Sequence, residues 1–178
     1  EDGTPGNNSS SGGGNGGGGI YCTNSNPNLI NLIITNNSST YDGGGIMLYY
    51  SNPYIQNVII SYNQSIEYSS GGGICCQNSN PIINNSIIVN NSTTHYGGGL
   101  ALWESNANLN NVTISNNTAN SGNGGGIDGG SDFVMINSII WNNSPLSIGN
   151  IDGGNPSITY SDIEGGLEGL GNINENPQ

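Results

Sequence analysis

Lysine and arginine are absent from this chain of 178 residues. With 12 acidic residues and one histidine its formal charge is −12, so nothing is available to neutralise a phosphate backbone or an anionic lipid surface, which excludes nucleic-acid binding. No apolar stretch approaches the roughly 20 residues that span a bilayer, which argues against membrane insertion. The first residues lack the charged and apolar parts of a signal peptide, so the chain reads as mature and soluble. Helical character is missing too: no stretch carries a 3.6-residue apolar stripe, and Ala, Glu and Leu are scarce while Ile, Thr, Tyr, Ser and Asn are common. Short strands and turns remain.

What the chain has instead is a period. A Gly-Gly-Gly word ending in an aliphatic residue recurs five times (Gly17 to Ile20, Gly43 to Ile46, Gly71 to Ile74, Gly97 to Leu100, Gly124 to Ile127), at steps of 26, 28, 26 and 27 residues. An Ile-x-x-Asn word keeps step with it at Ile34 to Asn37, Ile60 to Asn63, Ile88 to Asn91, Ile114 to Asn117 and Ile140 to Asn143. Between them lies Ser-Asn-Pro, at Ser25 to Pro27, Ser51 to Pro53 and Ser79 to Pro81, decaying to Ser105-Asn106-Ala107 and returning as Asn155-Pro156. Abundant Gly, Ser and Asn alone would suggest disorder, but a strict period marks stacked repeats, in which each unit contacts only its neighbours.

Counted from the Pro position, apolar residues fall two residues on (Leu29, Ile55, Ile83, Leu109, Met135, Ile158) and seven on (Ile34, Ile60, Ile88, Ile114, Ile140, Ile163). A further pair follows each Gly triplet with strand spacing: Ile20 with Cys22, Ile46 with Leu48, Ile74 with Cys76, Leu100 with Leu102. Each unit therefore supplies at least two short strands, which bury their apolar sides only by pairing in parallel with the same strands of the next unit. The expected fold is all-β, a single-stranded parallel β-helix of about six coils of roughly 26 residues. It should occupy residues 20–178, preceded by a Gly/Ser/Asn-rich arm or linker at 1–19. The row Asn37, Asn63, Asn91, Asn117 and Asn143 falls where a strand ends, where Asn tolerates a left-handed backbone and its stacked amides can form a ladder. The Gly triplets suit the next corner, where positive φ is free of penalty.

These words resemble the right-handed parallel β-helix repeat proteins of secreted bacterial surfaces and, more loosely, the chlamydial polymorphic outer membrane proteins, whose repeats carry Gly-Gly-Ala-Ile and Phe-x-x-Asn. Here the first word is Gly-Gly-Gly-Ile or Leu, and Ile stands for Phe. The likeness covers about residues 15–178, and Tyr160 to Gly166, Gly171-Asn172-Ile173 and Asn176-Pro177 look like closing coils of that family. It implies the fold and an extracellular or cell-surface location. The polysaccharide lyases of this fold use Arg or Lys as the base, and this chain has neither.

Candidate chemistry is thin. Ile-Asp-Gly-Gly occurs at 127 and again at 151, so Asp128 and Asp152 are expected on one outward row, about 4.8 Å apart, close to the spacing of a hydrolase carboxylate pair. Asp132 and Asp162 fall near the same end, though no cationic side chain accompanies them to position a sugar. His95 lacks triad partners and reads as a surface turn residue. Cys22, Cys75 and Cys76 leave an odd thiol and no zinc-type spacing. Cys22 and Cys76 would lie two coils apart, beyond disulfide reach, so buried thiols acting as small hydrophobes are expected. No cofactor or metal is expected. Asn-x-Ser/Thr sequons are frequent, and Asn36, Asn90, Asn116 and Asn142, next to the ladder row, should project outward as candidate glycan acceptors.

The sharper surface signal is the row Ile33, Ile59, Ile87, Thr113 and Ile139. If the adjacent Ile row faces inward, this one faces out, as an apolar stripe of the kind that meets a partner. Tyr49 and Trp103, on another outward row, could add aromatic contacts. No capping segment is evident at either end of the solenoid. The expectation is a non-enzymatic extracellular structural protein, a subunit of a surface filament or adhesin that self-associates through its ends and its Ile row. The alternative is a carbohydrate-active β-helix module, either glycan-binding through Tyr49 and Trp103 or a glycoside hydrolase.

Overall fold

The computed structural model of the chain describes residues 16–121, 124–130, 132–150 and 154–177, and among these there is no helix. Strands stack in parallel into three sheets. The first sheet holds six rungs, Ile20–Thr23, Ile46–Tyr49, Ile74–Gln77, Leu100–Trp103, Ile127–Asp128 and Ile148–Gly149. The second has ten strands. Its third and fourth coils contribute the eight-residue strands Ile82–Val89 and Asn108–Ser115, whereas the other coils contribute two short strands each, such as Asn28–Ile30 and Ile33–Thr35. A third, narrow sheet stacks Ser38–Ser39, Gln64–Ser65, Ser92–Thr93 and Thr118–Ala119. The chain is thus a parallel β-solenoid.

Register follows the repeat words. Ile20 lies beside Ile46, Ile46 beside Ile74 and Ile74 beside Leu100, while Ile34, Ile60, Ile88, Ile114 and Ile140 form a second column. Both columns join Leu48, Cys76, Ile55, Ile83 and Leu109 in one continuous core. Fully burying each such side chain contributes on the order of 2 kcal/mol.

Side-chain ladders turn the corners. Each ladder Asn donates its Nδ2 to the Oδ1 of the next, Asn37 to Asn63 at 2.9 Å, then Asn63 to Asn91, Asn91 to Asn117 and Asn117 to Asn143 at 3.0 Å. From Asn63 onward the same Nδ2 also donates to the preceding coil's Ile carbonyl. The left-handed residue is not the ladder Asn but the one before it: Asn36, Tyr62, Asn90, Asn116 and Asn142 have φ between +55° and +57°. The two roles expected of one Asn are split between neighbours, because the backbone reversal at the first residue is what aims the second inward. Ser-Asn-Pro makes a second ladder, with the backbone N–H of Ser25, Ser51 and Ser79 donating to the Oγ of Ser51, Ser79 and Ser105.

The Gly triplets are explained only in part by backbone conformation. Gly71 has φ +69°, but Gly72 is required by crowding: a Cβ there would collide with the Ser92 carbonyl and come within 2.6 Å of Gly98 O. First and third sheets meet backbone to backbone at this corner, so a side chain has nowhere to go.

Two boundaries differ from expectation. Of the arm expected at 1–19, residues 1–15 lie outside the described residues, and Gly18 and Gly19 already bond to Gly43 O and Gly45 O of the next coil. At the other end, a segment beyond Ile163 stacks on the last rung, with Ile173 in parallel beside Asp162. Tyr160 N donates to Leu170 O at 2.8 Å, Ile163 N to Ile173 O at 3.0 Å and Ser161 N to Asn172 Oδ1 at 3.1 Å, while Leu167 packs on the core. The expected lack of a cap is therefore corrected at this end, where a Gly-punctuated segment rather than a helix satisfies the edge.

Candidate functional site

The outer face of the second sheet carries the Ile row. Ile33, Ile59, Ile87, Thr113 and Ile139 are register partners along five successive coils. Ile33 is 71% exposed, Ile59 38% and Ile87 41%, whereas Thr113 and Ile139 are half-buried. Neighbouring positions extend the apolar surface: Ile30 and Ile82 are also exposed on this sheet, with Val134 beyond them. No carboxylate interrupts the row until Asp162, the partner of Ile139 in the last coil. The strand pleat fixes this outcome, since seating Ile34, Ile60 and Ile88 in the core sends their predecessors outward.

Tyr49 and Trp103 do not join that face. They sit half-buried on the first sheet, packed on a small second cluster of Met47, Cys75 and Ala101 that is fully shielded from solvent. Loops preceding the Gly triplets shield it: Tyr96 meets Trp103 edge-on at 5.6 Å, and a Cβ on Gly71 would lie 2.6 Å from Cys75 Cβ. This covered strip was not apparent in the sequence, although Met47 and Ala101, apolar at nominally outward positions, signal it. Burial pushes the thiols of Cys22, Cys75 and Cys76 up, with Asp42 adding to the effect at Cys75. All three cysteines are free and buried, hence poor nucleophiles.

Strand register does not put the expected carboxylate pair on one row. Asp128 lies opposite Gly149, not Asp152, because the next rung is made by Ile148–Gly149, three residues before the second Ile-Asp-Gly-Gly word. Asp128 is completely buried and accepts hydrogen bonds from Gly124 N at 2.6 Å and Asn150 Nδ2 at 3.1 Å, a structural role. Asp152 lies outside the described residues. Asp132 accepts from Asn155 N and Asp162 from Glu175 N, both as turn and edge acceptors. Among the described residues no group of three or more His, Cys, Asp and Glu side chains is arranged to hold a metal ion.

His95 is half-buried rather than a free surface residue, flanked by Tyr68 at 5.0 Å and Tyr96 at 5.3 Å between ring centres. Of the candidate glycan acceptors, Asn36, Asn116 and Asn142 are exposed and Asn90 is half-buried; Asn142 Nδ2 donates to Asn116 Oδ1.

A family model described as "right handed beta helix region" matches residues 4–132. The chain belongs to the right-handed beta helix family. No curated protein and no solved structure matches it. Membership of this beta helix family accords with the parallel stacking and the inward Ile columns, and leaves activity to be argued from the surface.

Proposed function

We propose that this beta helix is a non-enzymatic structural protein working outside the cell, as a unit of a surface filament or adhesin, and that it associates with copies of itself along the outer face of its second sheet. The observation that carries this reading is the exposed Ile33, Ile59 and Ile87 row, with Ile30 and Ile82 beside it. Isolated soluble proteins seldom display a contiguous apolar stripe of this length. Lateral rather than end-to-end association at the C-terminal side is supported by the bonds that Leu170, Asn172, Ile173 and Glu175 make to residues 158–163 of the last coil. Buried polar groups support the same reading, for Asp128 accepts from Gly124 N and Asn150 Nδ2 and Asp162 accepts from Glu175 N, so both carboxylates serve the fold. The extracellular setting rests on the resemblance of the repeat words to secreted surface proteins. The carbohydrate-active alternative loses its supports with Asp128 buried and Tyr49 and Trp103 half-covered.

Electron microscopy of the purified chain at rising concentration tests the proposal. Laterally paired or bundled particles should appear, and the double substitution Ile59→Asn, Ile87→Asn should disperse them. Single particles at every concentration would refute it.

A further inference from the structure

The second coil exceeds the 26-residue step by two residues. Between the third-sheet strand and the Gly triplet the first coil has three residues (Thr40 to Asp42) and the third coil three (Thr94 to Tyr96), but the second has five (Ile66 to Ser70). That two-residue insertion is the source of the 28-residue step, and insertions in solenoids tend to gather on a binding face. The longer loop is pinned on both sides: Ile66 N donates to Ser39 O at 3.0 Å, Glu67 N to Thr40 O at 3.1 Å, and Ser69 O accepts from His95 N at 3.2 Å. Tyr68 nevertheless stands 93% exposed. Ile66, Glu67, Tyr68, Thr94, His95 and Ser121 line a hollow of about 420 Å³.

Its chemistry is specific: one carboxylate, two adjacent aromatic rings and an aliphatic wall. That combination suits a cation on an apolar stem, whose methylenes lie on Ile66 and whose charge meets Glu67 and the Tyr68 ring face. The chain's charge of −12 draws cations toward it. Residues 1–178 of a second copy have no lysine or arginine to offer, which favours a different polypeptide as the occupant. We propose that this hollow docks a lysine or arginine side chain of a basic partner polypeptide, an interaction separate from self-association through the Ile row.

Calorimetric titration of the full chain with hexalysine and hexaarginine peptides tests the proposal, using Glu67→Gln, Tyr68→Ala and, as a charge-matched control on a distant exposed carboxylate, Glu168→Gln. Saturable binding is expected, weakened about fivefold by Glu67→Gln and by Tyr68→Ala, with Tyr68→Phe close to wild type and Glu168→Gln changed by less than about twofold. Far-UV circular dichroism checks that each variant is folded. Equal weakening by Glu67→Gln and Glu168→Gln would mean diffuse attraction and overturn the proposal. So would the absence of saturable peptide binding, or binding of a neutral oligosaccharide such as cellohexaose in its place.

Discussion

Asn91 stands in the middle of the amide ladder, and its removal should be far more damaging than removal of the first member, Asn37. Asn91 Nδ2 donates to Asn117 Oδ1 at 3.0 Å and to Ile60 O at 2.9 Å, while its Oδ1 accepts from Asn63 N at 2.9 Å and Asn63 Nδ2 at 3.0 Å. In Asn91→Ala two of these partners keep another bond, since Asn117 Oδ1 still accepts from residue 91 N and Asn63 Nδ2 still donates to Ile34 O. Asn63 N is left stranded in a buried site, while Ile60 O loses the amide but keeps its place in the ladder opposite Ile88. At about 1 kcal/mol for each of the four hydrogen bonds lost, the loss is about 4 kcal/mol, a large part of the roughly 5–15 kcal/mol that holds a domain folded. Asn37→Ala removes donations to Asn63 Oδ1 and Thr35 O, but Asn63 Oδ1 keeps Asn37 N at 3.0 Å, and the loss should be about 1–2 kcal/mol. With a urea dependence of ~2 kcal/mol per molar, the two midpoints should separate by about 1 M. Urea titration followed by circular dichroism and tryptophan fluorescence measures this, and the two probes together check that unfolding is cooperative. Equal midpoints, or a higher one for Asn91→Ala, would refute the ladder as a stabilising element.

Tyr62 is the one residue that is not Asn in its left-handed row; it has φ +55° and is 61% exposed. Tyr62→Asn should therefore raise stability by about 0.5–1 kcal/mol, seen as a higher melting temperature, and an unchanged or lower value would count against the strain assigned there. Asp42 has its carboxyl pushed up by burial, with the hydrogen bond from Ser70 N acting in the opposite sense. A raised folded-state value means that the carboxyl favours folding when protonated and opposes it as pH rises through that value. Asp42→Asn, which retains an acceptor for Ser70 N, should melt higher than wild type at pH 7, with the gap closing below about pH 4. A gap that persists or widens in acid would contradict this.

Much of the fold was legible because a solenoid places the same residue in the same environment coil after coil. Ile34, Ile60, Ile88, Ile114 and Ile140 all meet one core, so their identity repeats. The split between left-handed residue and ladder residue was harder to see, since four coils carry Asn-Asn at those two positions. Only Tyr62-Asn63 breaks the tie, because Tyr cannot serve in an amide ladder. Local words misled where the period slips: Ile-Asp-Gly-Gly repeats at 127 and 151, but the strand beside Asp128 forms at Ile148–Gly149, which lacks the word. The C-terminal cover was hidden for a related reason, since Gly171-Asn172-Ile173 uses coil vocabulary to set one residue, Ile173, in parallel beside Asp162 without making a full strand. Legibility of the candidate face was uneven. The Ile row follows from strand alternation alone, whereas the cover over Tyr49 and Trp103 depends on how loops fold back, which no period encodes.

Sedimentation velocity bears most directly on whether this beta helix is a self-associating structural unit. The chain of 18.3 kDa should rise in mean mass with concentration, and rise further with added salt, because screening relieves repulsion between copies carrying −12 each. The Ile59→Asn, Ile87→Asn variant should remain at the single-chain mass under the same conditions. A wild-type chain that stays at single-chain mass at every concentration and salt level, or a variant that associates as strongly, would contradict the account.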